Sequence, residues 1–163
     1  MRVSHAEFAF AVTRAAVGSG WPWGMAEELA RAAAHAPCGG DEAIEAAIWA
    51  CGPGKAAAMA APAAMDAMIA GRAMEPLRHH GQPALFHGFV AAASATYAEA
   101  LEANDDGEAL TIRRGGEAPC KPSARDVTPG LWAKLNALAA KTYVPSNEES
   151  RLAGAGAGLT DND

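Results

Sequence analysis

The stretch Ala98-Glu99-Ala100-Leu101-Glu102-Ala103-Asn104-Asp105-Asp106-Gly107-Glu108-Ala109-Leu110-Thr111-Ile112-Arg113-Arg114 decides the fold class. Asn, Asp and Gly tolerate the left-handed backbone that a tight reversal demands, so Asn104–Gly107 predicts a turn between strands over Ala98–Ala103 and Glu108–Arg114. Leu101, Leu110 and Ile112 supply the apolar face of that hairpin. Immediately upstream, Pro83 to Tyr97 includes Phe86, Phe89, Val90 and Thr96, residues that suit strands, with Gly88 read as a bulge. A small antiparallel sheet in the middle of the chain follows.

Helical signals lie on both sides of it. Ser4 with Glu7 three residues on is a capping box, and Phe8, Val12 and Ala15 share a face, which predicts a helix from Ser4 to Val17 stopped at Gly18. A second helix is predicted over Met25–His35 with Glu27 and Glu28 in its first turn, and a third from Asp41 as N-cap, carrying Ile44, Ile48 and Trp49 inward. Lys55 to Met74 is alanine and methionine with Pro62 inside and reads as helix, while Pro76 to Gln82 reads as a surface turn. Thr128 caps a last helix with Pro129 at its first position and Leu131, Trp132, Leu135 and Leu138 as its buried stripe. The expected class is α+β: N-terminal helices, a central antiparallel sheet, one C-terminal helix and a glycine-rich end.

A length of 163 residues suits one domain over 1–163, with 143–163 as its C-terminal segment. Much of the hydrophobic 50% is alanine, which buries little area per residue, so a homo-oligomer or a subunit role is expected to supply further burial. The formal charge of −6, with 13 scattered Lys and Arg, excludes nucleic acid as a partner. No apolar run suggests a signal peptide or a membrane span, which predicts a cytoplasmic protein. Cys38, Cys51 and Cys120 are widely spaced and odd in number, hence read as reduced thiols rather than as a disulfide framework or zinc site.

The C-terminal segment is the leading functional candidate. Gly154, Gly156 and Gly158 at every second position can turn backbone N–H groups toward an anion, and Arg151, beside Ser150, adds a bidentate donor for a carboxylate or phosphate. Asp161, the Asp163 side chain and the α-carboxyl put three carboxylates within three residues, a set suited to ligate a hard cation such as magnesium or to serve as acid and base. A phosphate-binding glycine loop of the nucleotide-binding kind is excluded, because such a loop opens a helix and only five residues follow Gly158. Composition also fits a fraying terminus.

Gly18, Gly20, Trp23, Gly24, Ala26, Glu27 and Glu28 near the start, and Tyr143-Val144-Pro145, Ser150-Arg151, Gly154-Ala155-Gly156-Ala157-Gly158 and Asp161-Asn162-Asp163 at the end, resemble a bacterial family of uncharacterised proteins, a domain-of-unknown-function family. The resemblance implies no reaction and no cofactor. It does weigh against a meaningless C-terminal tail, and Trp23, Glu28 and Tyr143 join the C-terminal residues as site candidates.

Other constellations have simpler readings. Glu27 and Glu28 beside Trp21 and Trp23 fit a carboxylate pair at an aromatic wall, but also a Glu27–Arg31 helical ion pair with the tryptophans in the core. His79 and His80 with Glu75 lack a third metal ligand at helical spacing, and His5, His35 and His87 are isolated in sequence. Cys120 and Arg113-Arg114 read as an ordinary loop thiol and a solvated turn. Two functions follow: a small-molecule enzyme or binding protein for an anionic metabolite, or a non-catalytic module whose C-terminal segment docks into a partner or neighbouring protomer.

Overall fold

Ser4 begins the first helix as the sequence requires: its hydroxyl accepts the Glu7 N–H, and the Glu7 carboxylate accepts the Ser4 N–H, which satisfies two otherwise orphaned donors. The computed structural model describes residues 1–73, 75–119 and 121–142. Within them the order is β1 (Arg2–Val3), α1 (His5–Gly18), α2 (Trp23–His35), α3 (Gly40–Ala50), α4 (Lys55–Ile69), β2 (Leu77–Arg78), α5 (Pro83–Tyr97), β3 (Leu101–Asp105), β4 (Ala109–Arg114), β5 (Arg125–Asp126) and α6 (Pro129–Ala139), followed by a 3₁₀ turn over Ala140–Thr142. This is an α+β fold. No described helix is long and apolar enough to cross a membrane.

Helix α2 lies between α1 and α5, while α6 packs on the other side of α1. The shared core is built from Phe8, Val12, Trp21, Leu29, Ile44, Leu85, Phe86, Leu110 and Leu135 within a matrix of buried alanines. Small residues let helix axes approach closely, which recovers dispersion contacts that alanine cannot supply by area. The closest approach is at Gly88, where an added Cβ would stand 2.1 Å from the Ala32 carbonyl oxygen.

Several expectations change here. Pro83–Tyr97 is a helix, not strand: Pro83 opens it, and Leu85, Phe86, Phe89, Val90, Ala92 and Ala93 are buried around much of its circumference, which erases any one-sided stripe. Burial of aromatic and β-branched side chains outweighs their strand preference. Gly88 is accordingly a helix-crossing point rather than a bulge.

Strands form two sheets instead of one, β2-β4-β3 and β1-β5, all antiparallel. Leu77–Arg78, read as turn, pairs with Ala109–Leu110. The hairpin exists, but its reversal is displaced: Asn104 and Asp105 lie in β3, opposite Thr111 and Leu110. Asp106 moves the turn, since its carboxylate accepts the Glu108 and Ala109 N–H groups, each at 2.9 Å, and is held below the usual carboxylate range by those bonds.

Helix α2 starts at Trp23, so Glu27 and Glu28 lie past its first turn. Gly39 rather than Asp41 is the N-cap of α3, and Asp41 instead accepts the Thr128 N–H at 2.6 Å. Lys55–Ile69 is helical despite Pro62. In α6, Leu135 is buried while Leu131, Trp132 and Leu138 are half-buried at the edge of the core.

Distant cations close two helices. Lys55 Nζ donates to the Ser19 and Gly20 carbonyls at 3.0 and 2.8 Å beyond α1. Arg125 donates to the Ala34, Ala36 and Cys38 carbonyls at 2.7, 2.9 and 2.6 Å at the end of α2. Both meet the negative end of a helix dipole and supply donors to carbonyls left over there.

Candidate functional site

Helix α5 carries two faces with different neighbours. Phe89, Ala93, Thr96 and Tyr97 look toward α4 and the start of α2, whereas His87, Val90, Ala91 and Ser94 look toward the α2–α3 turn. The second face opens onto a cleft of about 720 Å³, bounded on its far side by Glu117, Pro119 and residues 121–126. That volume suits a small molecule. Its walls mix apolar side chains, Pro37, Val90, Leu101 and Ala103, with polar ones, His35, His87, Ser94, Glu117, Lys121, Ser123, Arg125 and Asp126, beside the Cys38-Gly39-Gly40 backbone.

The Gly39-Gly40 stretch matters because α3 starts there. Gly39 adopts an extended N-cap conformation (φ −64°, ψ 165°), and no side chain caps the helix. The first-turn N–H groups of a helix lack intrahelical acceptors and stand at the positive end of its dipole. Asp41 and Glu42 in the first turn offset part of that field.

Arg125 also lines the cleft, yet its guanidinium is committed to the carbonyls ending α2 and lies 5.5 Å over the Phe8 ring. Its task is structural. Beside it, burial holds His5 below the ordinary histidine value, with His35 and Arg125 adding like charge. Cys38 on the cleft wall is pushed up by burial and by Glu42, and Cys51 in the core is pushed up to about 11 by burial, so both are free thiols of low reactivity.

Behind His87 stands a carboxylate. Asp105, at the end of β3, places Oδ2 at 4.0 Å from His87 Nε2 and Oδ1 at 3.3 Å from His79 Nε2. Its Oδ1 also accepts the Gly107 N–H at 2.8 Å. His79 is buried, only 4% exposed, and follows β2. Its Nδ1 accepts the Gly81 N–H at 3.3 Å, so a neutral ring carries its proton on Nε2. That Nε2 points off the line of a good hydrogen bond to Asp105 and finds no hydrogen-bond partner among the described residues. The turn that sets His79 contains two successive left-handed residues, His80 (φ 50°) and Gly81 (φ 78°), closed by the Gln82 N–H donating to the His79 carbonyl at 2.8 Å. Among the described residues no group of three His, Cys, Asp or Glu side chains converges on a metal position.

Residues 3–36 match the model of a family described as a protein of unknown function (DUF3726). No curated protein and no solved structure matches the chain. The match takes in β1, α1 and α2 and ends at Ala36 on the cleft wall. It therefore includes the N-terminal part of the resemblance, Gly18 to Glu28, and none of its C-terminal part.

Of the site residues read from sequence, Trp23 and Glu28 do not line the cleft, and Glu28 lies on the side of α2 that faces α4. Trp23 is 56% exposed rather than in the core, and its Nε1 donates to Glu27 at 3.0 Å. Glu28, not Glu27, pairs with Arg31 and lines a groove of about 600 Å³ with Asp66 and Tyr97. Tyr97 donates to Asp66 at 2.7 Å, and that bond with the neighbouring negative charge raises its phenol. Tyr143, Ser150, Arg151, Gly154, Gly156, Gly158, Asp161 and Asp163 lie outside the described residues, as does Cys120. Arg114 is not free at its turn: it pairs with Glu99 at 2.7 Å and donates to the Ile69 carbonyl.

Sequence reasoning missed Asp105, which it assigned to a turn, and treated His79 and His87 as unrelated. The available signal was Asp105 itself, one residue before the turn-forming Asp106.

Proposed function

We propose that the protein binds a small anionic molecule, a carboxylate or phosphate, in the cleft between the α2–α3 turn, α5, β3 and residues 121–126, and works as a small-molecule enzyme or binding protein. One observation carries the reading: α3 begins uncapped at Gly39-Gly40 on the wall of a cleft that also receives His87 and Lys121. Orphaned helix amides and a positive dipole end take a carboxylate or phosphate oxygen, and Lys121 adds a cation on the opposite wall. Glu117, Lys121 and Asp126 are all exposed side chains of the opposite wall, screened alike by water and salt. Arg151, with Ser150, Gly154, Gly156 and Gly158, is a further source of donors to the same anion, and Asp161 or Asp163 a further acid or base.

Position 39 tests this directly. The Gly39 backbone already has N-cap geometry and open space where a Cβ would stand. Gly39→Asp therefore supplies an internal carboxylate to the amides at the anion position. The variant is expected to gain a few tenths of a kcal/mol from capping. It should also lose the thermal stabilisation that sulfate, phosphate or small dicarboxylates give the natural chain, which is about 1.4 kcal/mol at tenfold the dissociation constant. Stabilisation that persists in Gly39→Asp overturns the reading. A chain ending at Thr142 separates the contributors: loss of stabilisation there assigns Arg151 and its neighbours to the ligand, and retention assigns binding to the cleft alone.

A further inference from the structure

We propose that His87 is the acid–base group of the cleft, taking up a proton together with the anionic ligand, and that Asp105 and His79 are its positioning residues. The inference rests on the anion-binding reading above and assigns that site its proton chemistry. His87 lies on the cleft wall with its Nε2 turned toward Asp105 Oδ2, so Nε2–H is the form the carboxylate favours and Nδ1 is left for other partners. An anion in the cleft then puts negative charge on the far side of an imidazole that already has a carboxylate behind it. Imidazolium between two anions is stabilised by both, and neutral imidazole by neither.

The Gly107 N–H holds Asp105 in place, and beside that carboxylate stands His79. Its buried Nε2–H lies 3.3 Å from Asp105 Oδ1, without another acceptor among the described residues, and the Gly107 N–H holds the same oxygen. A slight rotation of the Asp105 carboxylate makes the hydrogen bond that the buried imidazole lacks, and moves Oδ2 relative to His87. The remaining charged groups around His87 are accounted for. His35 stands on the α2 wall with Nδ1 against the Arg31 carbonyl at 3.0 Å. Glu117, Lys121 and Asp126 come from the opposite wall, and Arg125 is held by the α2 carbonyls.

The linkage has a definite sign. A proton taken up with the anion makes binding tight at low pH and progressively weaker as pH rises through the histidine range. Sulfate is the probe, because its own charge is constant there. For the full chain, sulfate affinity measured by calorimetry is expected to fall about tenfold between pH 5.5 and 8.0, with proton uptake visible as a dependence of the binding heat on buffer ionisation enthalpy. His87→Gln should flatten that profile to less than about twofold. Asp105→Asn should shift the profile to lower pH and Asp105→Glu restore it, a change that a purely structural role would not produce. A flat profile in the natural chain, or an unchanged one in His87→Gln, overturns the assignment while leaving anion binding standing. Absence of sulfate binding at every pH overturns both. Should His87→Gln fail to fold, the His87 imidazole proton resonance in the natural chain decides: added sulfate must move its titration to higher pH, and an unmoved titration refutes the proposal.

Discussion

The two depressions on either side of α5 contain similar inventories and differ in how those inventories are spent. In the groove toward α4, polar side chains are matched to one another: Glu27 with Trp23 beside the groove, Arg31 with Glu28, Tyr97 with Asp66. In the cleft toward the α2–α3 turn, a helix begins without a side-chain cap. Surface pairs of the first kind contribute about 0–1 kcal/mol and ask for nothing more. First-turn amides of the second kind lack intrahelical acceptors and are open to an anion. Carboxylates and tryptophans close together in sequence are thus a weaker mark of a site than donors left without acceptors.

The contrast breaks most completely at the point both depressions share. Gly88→Ala drives a methyl group into the Ala32 carbonyl, separates α2 from α5, and is expected to cost about 3 kcal/mol in urea denaturation, deforming groove and cleft together. Next in size is Arg125→Ala, which strips the cleft side alone. Carbonyls of Ala34, Ala36 and Cys38 lose a charged donor, and a loss of about 2 kcal/mol is expected, only partly recovered in Arg125→Lys because an ammonium cannot span three acceptors in a planar fork. The smallest effect belongs to the groove. Tyr97 keeps its proton to higher pH than an ordinary phenol because Asp66 accepts it, so Asp66→Asn should move the phenolate titration downward, followed by ultraviolet absorbance in a Tyr143→Phe background. Its stability should change by less than about 0.5 kcal/mol, as for other surface pairs. A larger loss there would mean that the groove, too, is structurally committed.

How much of this was legible in the sequence depended on range. Signals confined to a few residues were read well: the Ser4–Glu7 capping box, Pro129 at the start of α6, and the existence of the hairpin. Placement of its turn slipped because Asn104, Asp105 and Asp106 all favour reversal, and only side-chain bonding by Asp106 selects among them. Helix α5 was misread because it is buried on two faces, where periodicity vanishes and Phe and Val mimic a strand. The convergence of His79, Asp105 and His87 is purely tertiary: β2, β3 and α5 each bring one group, and no spacing in the chain encodes their meeting. Trp23 and Glu28 were legible as a helical cluster but not as a satisfied one.

The bonds from Arg125 to residues 34–38 bridge 87 to 91 positions of sequence, and β5 likewise ties residues 125–126 to residues 2–3. Contacts of such span close large loops and form late, after local helices have condensed. During synthesis α1 to α5 therefore emerge and pack while the end of α2 still lacks its donor and the cleft still lacks its outer wall. The cleft is thus completed after the helices that line it, so an anion added during refolding should leave early helix formation untouched and accelerate none of it.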